Sequence, residues 1–204
     1  MVTKSDAAWT IISTALTLAE TRGWRSLSLA DIAAESGQPL GRVAGEFAGK
    51  DAILTAFNRR IDGEVLKEAI DQDGSVRDRL FELIMRRLDA LAPHRPAIRA
   101  ILRDTLGDPL AALAGLCAIH RSMTLTLEAA GVSATGPLGR LRTKALEAIY
   151  LRALYTWLRE GDGENDRIMA LLDKALARAE KIATSFGLHR QPHADTTENK
   201  DATG

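Results

Sequence analysis

The chain has 204 residues, 46% of them hydrophobic and 26% charged, and its 27 basic residues are balanced by 27 acidic ones. That composition is globular and excludes a wholly disordered chain, and zero formal charge argues against a protein built mainly to blanket nucleic acid. A single cysteine, Cys117, excludes an internal disulfide, and MVTKSDAAWT has no basic-then-apolar leader, so the expected setting is cytoplasmic.

Apolar residues recur at three- and four-residue spacing nearly throughout, and β-branched residues never cluster between turn signals. The expected class is therefore all-α, with about nine helices. A first helix over 6–21 places Ile12, Ala15, Leu16 and Ala19 on one face and stops at Gly23. Ser28 and Asp31 have capping-box spacing at the start of a second helix that runs to 35. Gly37 turns the chain, Pro39 suits the first turn of a short third helix over 39–46, and a fourth covers 50–70. Further helices are expected over 75–91, 96–106, 109–130, 137–160 and 164–186, separated by glycine and proline breaks. The longest apolar run, 109–119, is too short to span a bilayer. From 187 onward large apolar side chains almost vanish, which reads as a disordered tail. The expected organisation is a helix-turn-helix unit over 1–48, a helical ligand-binding and dimerisation domain over 49–186, and the tail over 187–204.

Two short helices joined by a glycine turn behind a longer first helix have the arrangement of a helix-turn-helix. The segment IISTALTLAETRGWRSLSLADIAAESGQPLGRVAGEFAGKDAIL is more specific. Its first helix ends at Gly23. The second reads Asp31-Ile32-Ala33, and a turn follows at Gly37. The third helix holds Gly41, then come Phe47 and a Lys50-Asp51-Ala52-Ile53 start to the fourth. This resembles the N-terminal signature of the tetracycline-repressor (TetR) family. The resemblance implies a TetR-like all-α fold, a homodimer, double-stranded operator DNA as partner and a small apolar or lipid-like effector. Carried onto this sequence, the DNA contacts fall at Ser28, Gln38, Leu40, Gly41, Arg42 and Lys50. Where the family usually has Tyr and His just before the Phe, this chain has Ala44 and Glu46, and Glu46 would meet phosphate with the wrong sign. The first fifty residues hold five basic and five acidic side chains, so the unit carries no net positive charge.

Residues 136–184 carry a second pattern: Arg142, Leu146, Ile149-Tyr150, Trp157, an acidic loop at 161–166, and Leu172-Asp173. It is similar to the C-terminal region of the coenzyme Q biosynthesis lipid-binding accessory protein family, which has the TetR fold without repressor activity and binds isoprenoid lipid.

Two apolar groups invite assignments. Phe81, Met85, Leu113, Leu116, Cys117, His120, Met123 and Leu127 could line an effector pocket, or make a dry core. Leu146, Tyr150, Leu154, Trp157, Ile168, Leu172, Ala175 and Ala179 form stripes on the last two helices, fit for a four-helix dimer interface or for an intramolecular core. The four histidines, His94, His120, His189 and His193, have no metal or catalytic context, so no cofactor and no enzymatic activity are expected. Segment 77–103 holds seven arginines against Asp78, Glu82 and Asp89, which suits a solvated face, or else peripheral contact with an anionic membrane surface or an acidic partner. The sequence thus reads as a ligand-responsive transcriptional regulator, with a lipid-binding accessory protein as the alternative.

Overall fold

The computed structural model of the protein describes residues 4–71, 73–105, 107–160 and 165–185. Among them are nine α-helices and no strand: α1 (Lys4–Arg22), α2 (Leu29–Ser36), α3 (Leu40–Glu46), α4 (Lys50–Val65), α5 (Val76–Leu91), α6 (Arg95–Thr105), α7 (Pro109–Ala129), α8 (Gly136–Arg159) and α9 (Asn165–Ser185). A 3-10 turn at Ala92–His94 links α5 to α6. The expected tail over 187–204 lies outside the described residues.

Helix starts follow local hydrogen-bond chemistry. Ser28 is extended, its Oγ accepts from the Asp31 backbone N–H, and the Asp31 carboxylate accepts from the Ser28 N–H. Ser75 and Asp78 repeat that box at α5. Asp108 accepts from the N–H groups of Leu110 and Ala111, with Pro109 occupying the next position. Each box satisfies donors that a helix start would otherwise leave orphaned.

Helix α4 stops at Val65, short of the expected 70. Ile61 and Val65 face inward, so another turn would carry Glu68 and Ala69 onto that face. Ending the helix instead lets Ile70 return to the core.

Helix α1 packs on α2, α4 and α6; α4 packs on α5 and α7; α8 packs on α7 and α9, and α5 closes against α9. One hydrophobic cluster runs from Ile11 of α1 through Phe57 of α4, Ile84 of α5 and Met123 of α7 to Leu172 of α9. Helices α1–α3 therefore share a core with the rest of the chain. Gly139 is a close-approach position, because a Cβ there would sit 2.1 Å from the Ala134 carbonyl carbon.

Arg87 is 2% exposed and organises a polar knot inside this bundle. Its Nη1 pairs with the Asp62 carboxylate at 2.5 Å, Nε donates to the Tyr150 hydroxyl at 3.2 Å, and Nη2 donates to Ser122 Oγ at 3.1 Å and Asn58 Oδ1 at 3.3 Å. A buried charge persists only when paired and hydrogen-bonded, which this arrangement achieves across α4, α5, α7 and α8.

The arginine-rich segment 77–103 is largely turned inward, correcting the expectation of a solvated basic face. Arg79 is buried and donates to the carbonyls of Ala130 (2.9 Å) and Gly74 (2.6 Å). Arg77 pairs with Asp173 and Arg86 with Glu82. Arg99 donates to the Leu158 carbonyl at 2.9 Å, and Arg95 reaches the carbonyls of Trp157 and Glu160. The last two cap the C-terminal end of α8, where the helix leaves carbonyls unpaired and partial negative charge accumulates.

Helix α7, taken whole, is long and apolar enough to cross a bilayer, which the run over 109–119 alone is not. Its second half is packed into the bundle through Ser122, Met123, Thr126 and Leu127.

Candidate nucleic-acid interface and ligand cavity

The turn between α2 and α3 is set by Gly37, at φ 65°, a left-handed conformation that costs glycine little. Its N–H donates to Ala34 O and that of Gln38 to Ala33 O, the paired bonds that close a helix in a Schellman motif. Helix α3 is pinned by buried Val43 and, just beyond it, Phe47. Everything else on it points outward: Leu40 (50% exposed), Gly41, Arg42, Ala44, Gly45 and Glu46. The presented surface therefore carries one cation, Arg42, and one anion, Glu46.

The other predicted contacts are more constrained. Gln38 is half-buried at the head of the turn, and the Ser28 hydroxyl is engaged with Asp31 in the capping box. Lys50 Nζ donates to the Trp24 carbonyl at 2.8 Å and the Arg25 carbonyl at 3.4 Å and lies over the Trp24 indole. Burial pushes its ammonium below the ordinary lysine range, with Asp51 opposing. Lys50 thus straps the α1–α2 loop.

A second hook holds the same loop from α6. Asp104 Oδ2 accepts from the Arg25 backbone N–H at 3.1 Å, and Arg25 Nη2 donates to the Gly107 carbonyl at 3.3 Å. That backbone bond holds the Asp104 carboxyl below its ordinary range against the opposing effect of desolvation, with Arg103 adding to the lowering. Periodicity gives no signal for this contact, because it joins residues 79 positions apart.

Two cavities lie in the larger part of the bundle. One, about 140 Å³, lies among α4, the end of α5, α6, α7 and α8 and opens to solvent; its walls include Phe57, Leu91, Ile101, Leu102, Ala111, Gly115, Ala118, Ile119 and Leu154, with Asn58, Thr105 and Tyr150 as polar members. The other, about 290 Å³, lies among α5, the end of α7, α8 and α9, is lined by Leu80, Leu127, Leu138, Leu141, Leu146, Ile149 and Leu176, and carries Arg77 and Arg142.

Of the expected pocket residues, only Leu127 borders a cavity, the larger one. Leu113 and Leu116 are 58% and 42% exposed, and Cys117 is also exposed, so the first half of α7 turns these away from the bundle. Alanines and Gly115 on its opposite side face the smaller cavity. Phe81 and Met85 pack half-buried against the core, and Met123 is fully buried in it. His120 Nδ1 contacts the Glu147 carboxylate at 3.2 Å, which Lys144 also pairs with at 2.9 Å. Burial works against ionisation of Glu147, yet Lys144 and His120 hold its carboxyl below the usual range.

The expected interface stripe is largely buried within the protomer. Leu146, Tyr150, Leu154, Trp157, Ile168 and Leu172 are buried within the protomer, with Ala175 and Ala179 half-buried beside them. The largest apolar side chains of α8 and α9 thus fill the protomer's own core. Of their exposed large apolar side chains, Leu141 and Ile182 border the larger cavity, and Tyr155, 56% exposed, faces outward from α8.

No family profile and no curated protein matches the sequence. Among solved structures, the chain is similar to a TetR transcriptional regulator from Nitrosomonas europaea, with a TM-score of 0.70 and 27% identity over 85% of this chain and 98% of that one. A TetR transcriptional regulator from Rhodococcus sp. RHA1 matches at TM-score 0.61 and 17% identity, over 86% and 96% of the two chains. A TetR-family regulator from Streptomyces coelicolor matches at 0.54 and 18%, over 90% and 85%. With nine described helices and these likenesses along most of its length, the chain has an all-α fold of the kind seen in TetR transcriptional regulators.

Proposed function

We propose that the protein is a homodimeric transcriptional regulator that releases or grips operator DNA in response to a small apolar effector. One observation carries the reading: α6 lines the smaller cavity with Ile98, Ile101, Leu102 and Thr105, and Asp104 on the same turn hooks the loop that opens the helix-turn-helix. A molecule entering that cavity displaces α6, and α6 cannot move without pulling on Arg25. Allosteric coupling needs two sites and a shared element that both bias, and α6 supplies it.

In this reading Leu40, Gly41 and Arg42 meet base edges in the major groove, and Ser28, Gln38 and Lys50 lie near the phosphates. Two copies would associate through the outward faces of α8 and α9, where Tyr155 is exposed.

The lipid-binding alternative is favoured by the larger cavity. It is apolar and is bordered by Leu141, Arg142, Leu146 and Ile149, which belong to the segment that resembles the coenzyme Q accessory family. Glu46 on the presented face of α3 points the same way.

A gel shift on DNA from upstream of the protein's own gene, titrated in salt, separates the two. A specific band that weakens in Arg42→Ala by roughly 1–3 kcal/mol supports the regulator. No specific band at low salt, together with isoprenoid lipid recovered by mass spectrometry from the purified protein, rejects it in favour of lipid carriage.

A further inference from the structure

The smaller cavity limits its occupant by size, charge and hydrogen bonding. Its volume, about 140 Å³, is close to the roughly 150 Å³ of an engineered apolar cavity that admits benzene. Phe57, Leu102, Ile119 and Leu154 give it greasy walls, and the α7 side is built from alanine and glycine, leaving room for a flat ring. The mouth lies at Asp51 and Ala114, the exposed lining residues.

Two residues that line this space, Tyr150 and Thr105, carry hydroxyls with unused capacity. Tyr150 is 2% exposed, and its oxygen accepts from Arg87, while its own hydrogen has no acceptor among the described residues. Thr105 Oγ1 is buried and has no hydrogen-bond partner. Buried polar atoms left unmatched are costly, so a ligand oxygen that reaches the Tyr150 hydrogen would gain free energy. The Arg87 guanidinium polarises the Tyr150 hydroxyl and strengthens it as a donor. Charge selects further: Arg87 is already paired with Asp62, and Asp51 is the one charged residue among the described lining residues. An anionic ligand would find no free cation here.

We propose that this cavity binds a neutral, single-ring aromatic molecule carrying one oxygen substituent, the oxygen accepting a hydrogen bond from Tyr150. Its regulatory consequence rests on the regulator reading above: the ring fills the space beside Thr105, shifts α6, and loosens the Asp104 hook on Arg25.

Calorimetric titration of the full chain with phenol, toluene and benzoate tests the ligand class. Phenol and toluene have the same number of heavy atoms, so their difference isolates the oxygen. Phenol binds at least about tenfold tighter than toluene, and benzoate binds more weakly than either. In Tyr150→Phe toluene binding persists, which reports an intact cavity, and the phenol preference disappears. Ala118→Leu, which fills the space from α7, weakens phenol and toluene alike. Phenol binding no tighter than toluene, benzoate binding best, a phenol preference surviving Tyr150→Phe, or unchanged binding in Ala118→Leu would each overturn the assignment. A parallel gel shift with and without phenol separates the two claims. Calorimetric binding without any change in DNA affinity removes the coupling and leaves the ligand class. Absent calorimetric binding removes the ligand class and leaves DNA binding in the ligand-free protein untouched.

Discussion

Replacing Asp62 with leucine strands a buried guanidinium. Arg87 is 2% exposed at its side chain and Asp62 10%, so water cannot take the place of the missing carboxylate. Removing one partner of such a pair costs about 3–5 kcal/mol. Arg87 keeps Tyr150, Asn58 and Ser122 as acceptors, which places Asp62→Leu toward the lower end of that range. At about 2–4 °C per kcal/mol for a chain of this size, the thermal midpoint falls by roughly 6–12 °C. Differential scanning calorimetry at neutral pH measures it. Adding Arg87→Met removes the stranded charge, and the double variant regains most of the loss, because an apolar pair of similar volume replaces a buried ion pair at little net cost. A single variant that loses under about 1 kcal/mol, or a double variant no more stable than the single, would refute the reasoning.

Asp104→Asn keeps the shape of the hook and removes its charge. Because the native carboxyl titrates below its ordinary value near 3.8, its stabilising effect is present above that value and is lost as pH falls through the lower native one. Melting curves between about pH 5 and pH 2 should therefore fall less steeply for the variant. His94, wedged between the edges of Trp9 and Phe57, is pushed below its ordinary 6.5 by burial, with Glu64 opposing. The unfolded chain takes up that proton more readily, so stability is complete above 6.5 and declines as pH drops below it; His94→Phe should flatten this part of the profile. Gly139→Ala drives a methyl into the Ala134 backbone, and urea unfolding should report a loss of about 3 kcal/mol or more.

The front of the molecule was legible because its signals are local. Ser28 with Asp31, Gly37, Pro39 and Gly23 each act within a few residues, and the structure uses each at or beside the expected boundary. The cavity was not legible, for a geometric reason. Helix α7 is apolar nearly all round over its first three turns, so periodicity leaves its rotation undetermined, and Leu113, Leu116 and Cys117 point away from the space that Ala111, Gly115 and Ala118 border. The stripes of α8 and α9 are ambiguous in a related way: a wide apolar face says that burial is required without saying by which chain. Tyr150, Leu154 and Trp157 are claimed by the protomer's own core. The Asp104 hook and the Arg87 knot join residues far apart in sequence and leave no periodic trace.

The first three turns of α7 are bounded by water on the side of Leu110, Leu113 and Leu116 and by an unfilled hollow on the other. A helix so placed has little side-chain packing to hold it, and its local opening free energy lies well below that of its second half, where Met123 and Leu127 are locked in the core. Breathing of this one segment is therefore the least costly way to widen the hollow, so the rate at which a guest is admitted is set by how often Pro109–Ala118 lifts away.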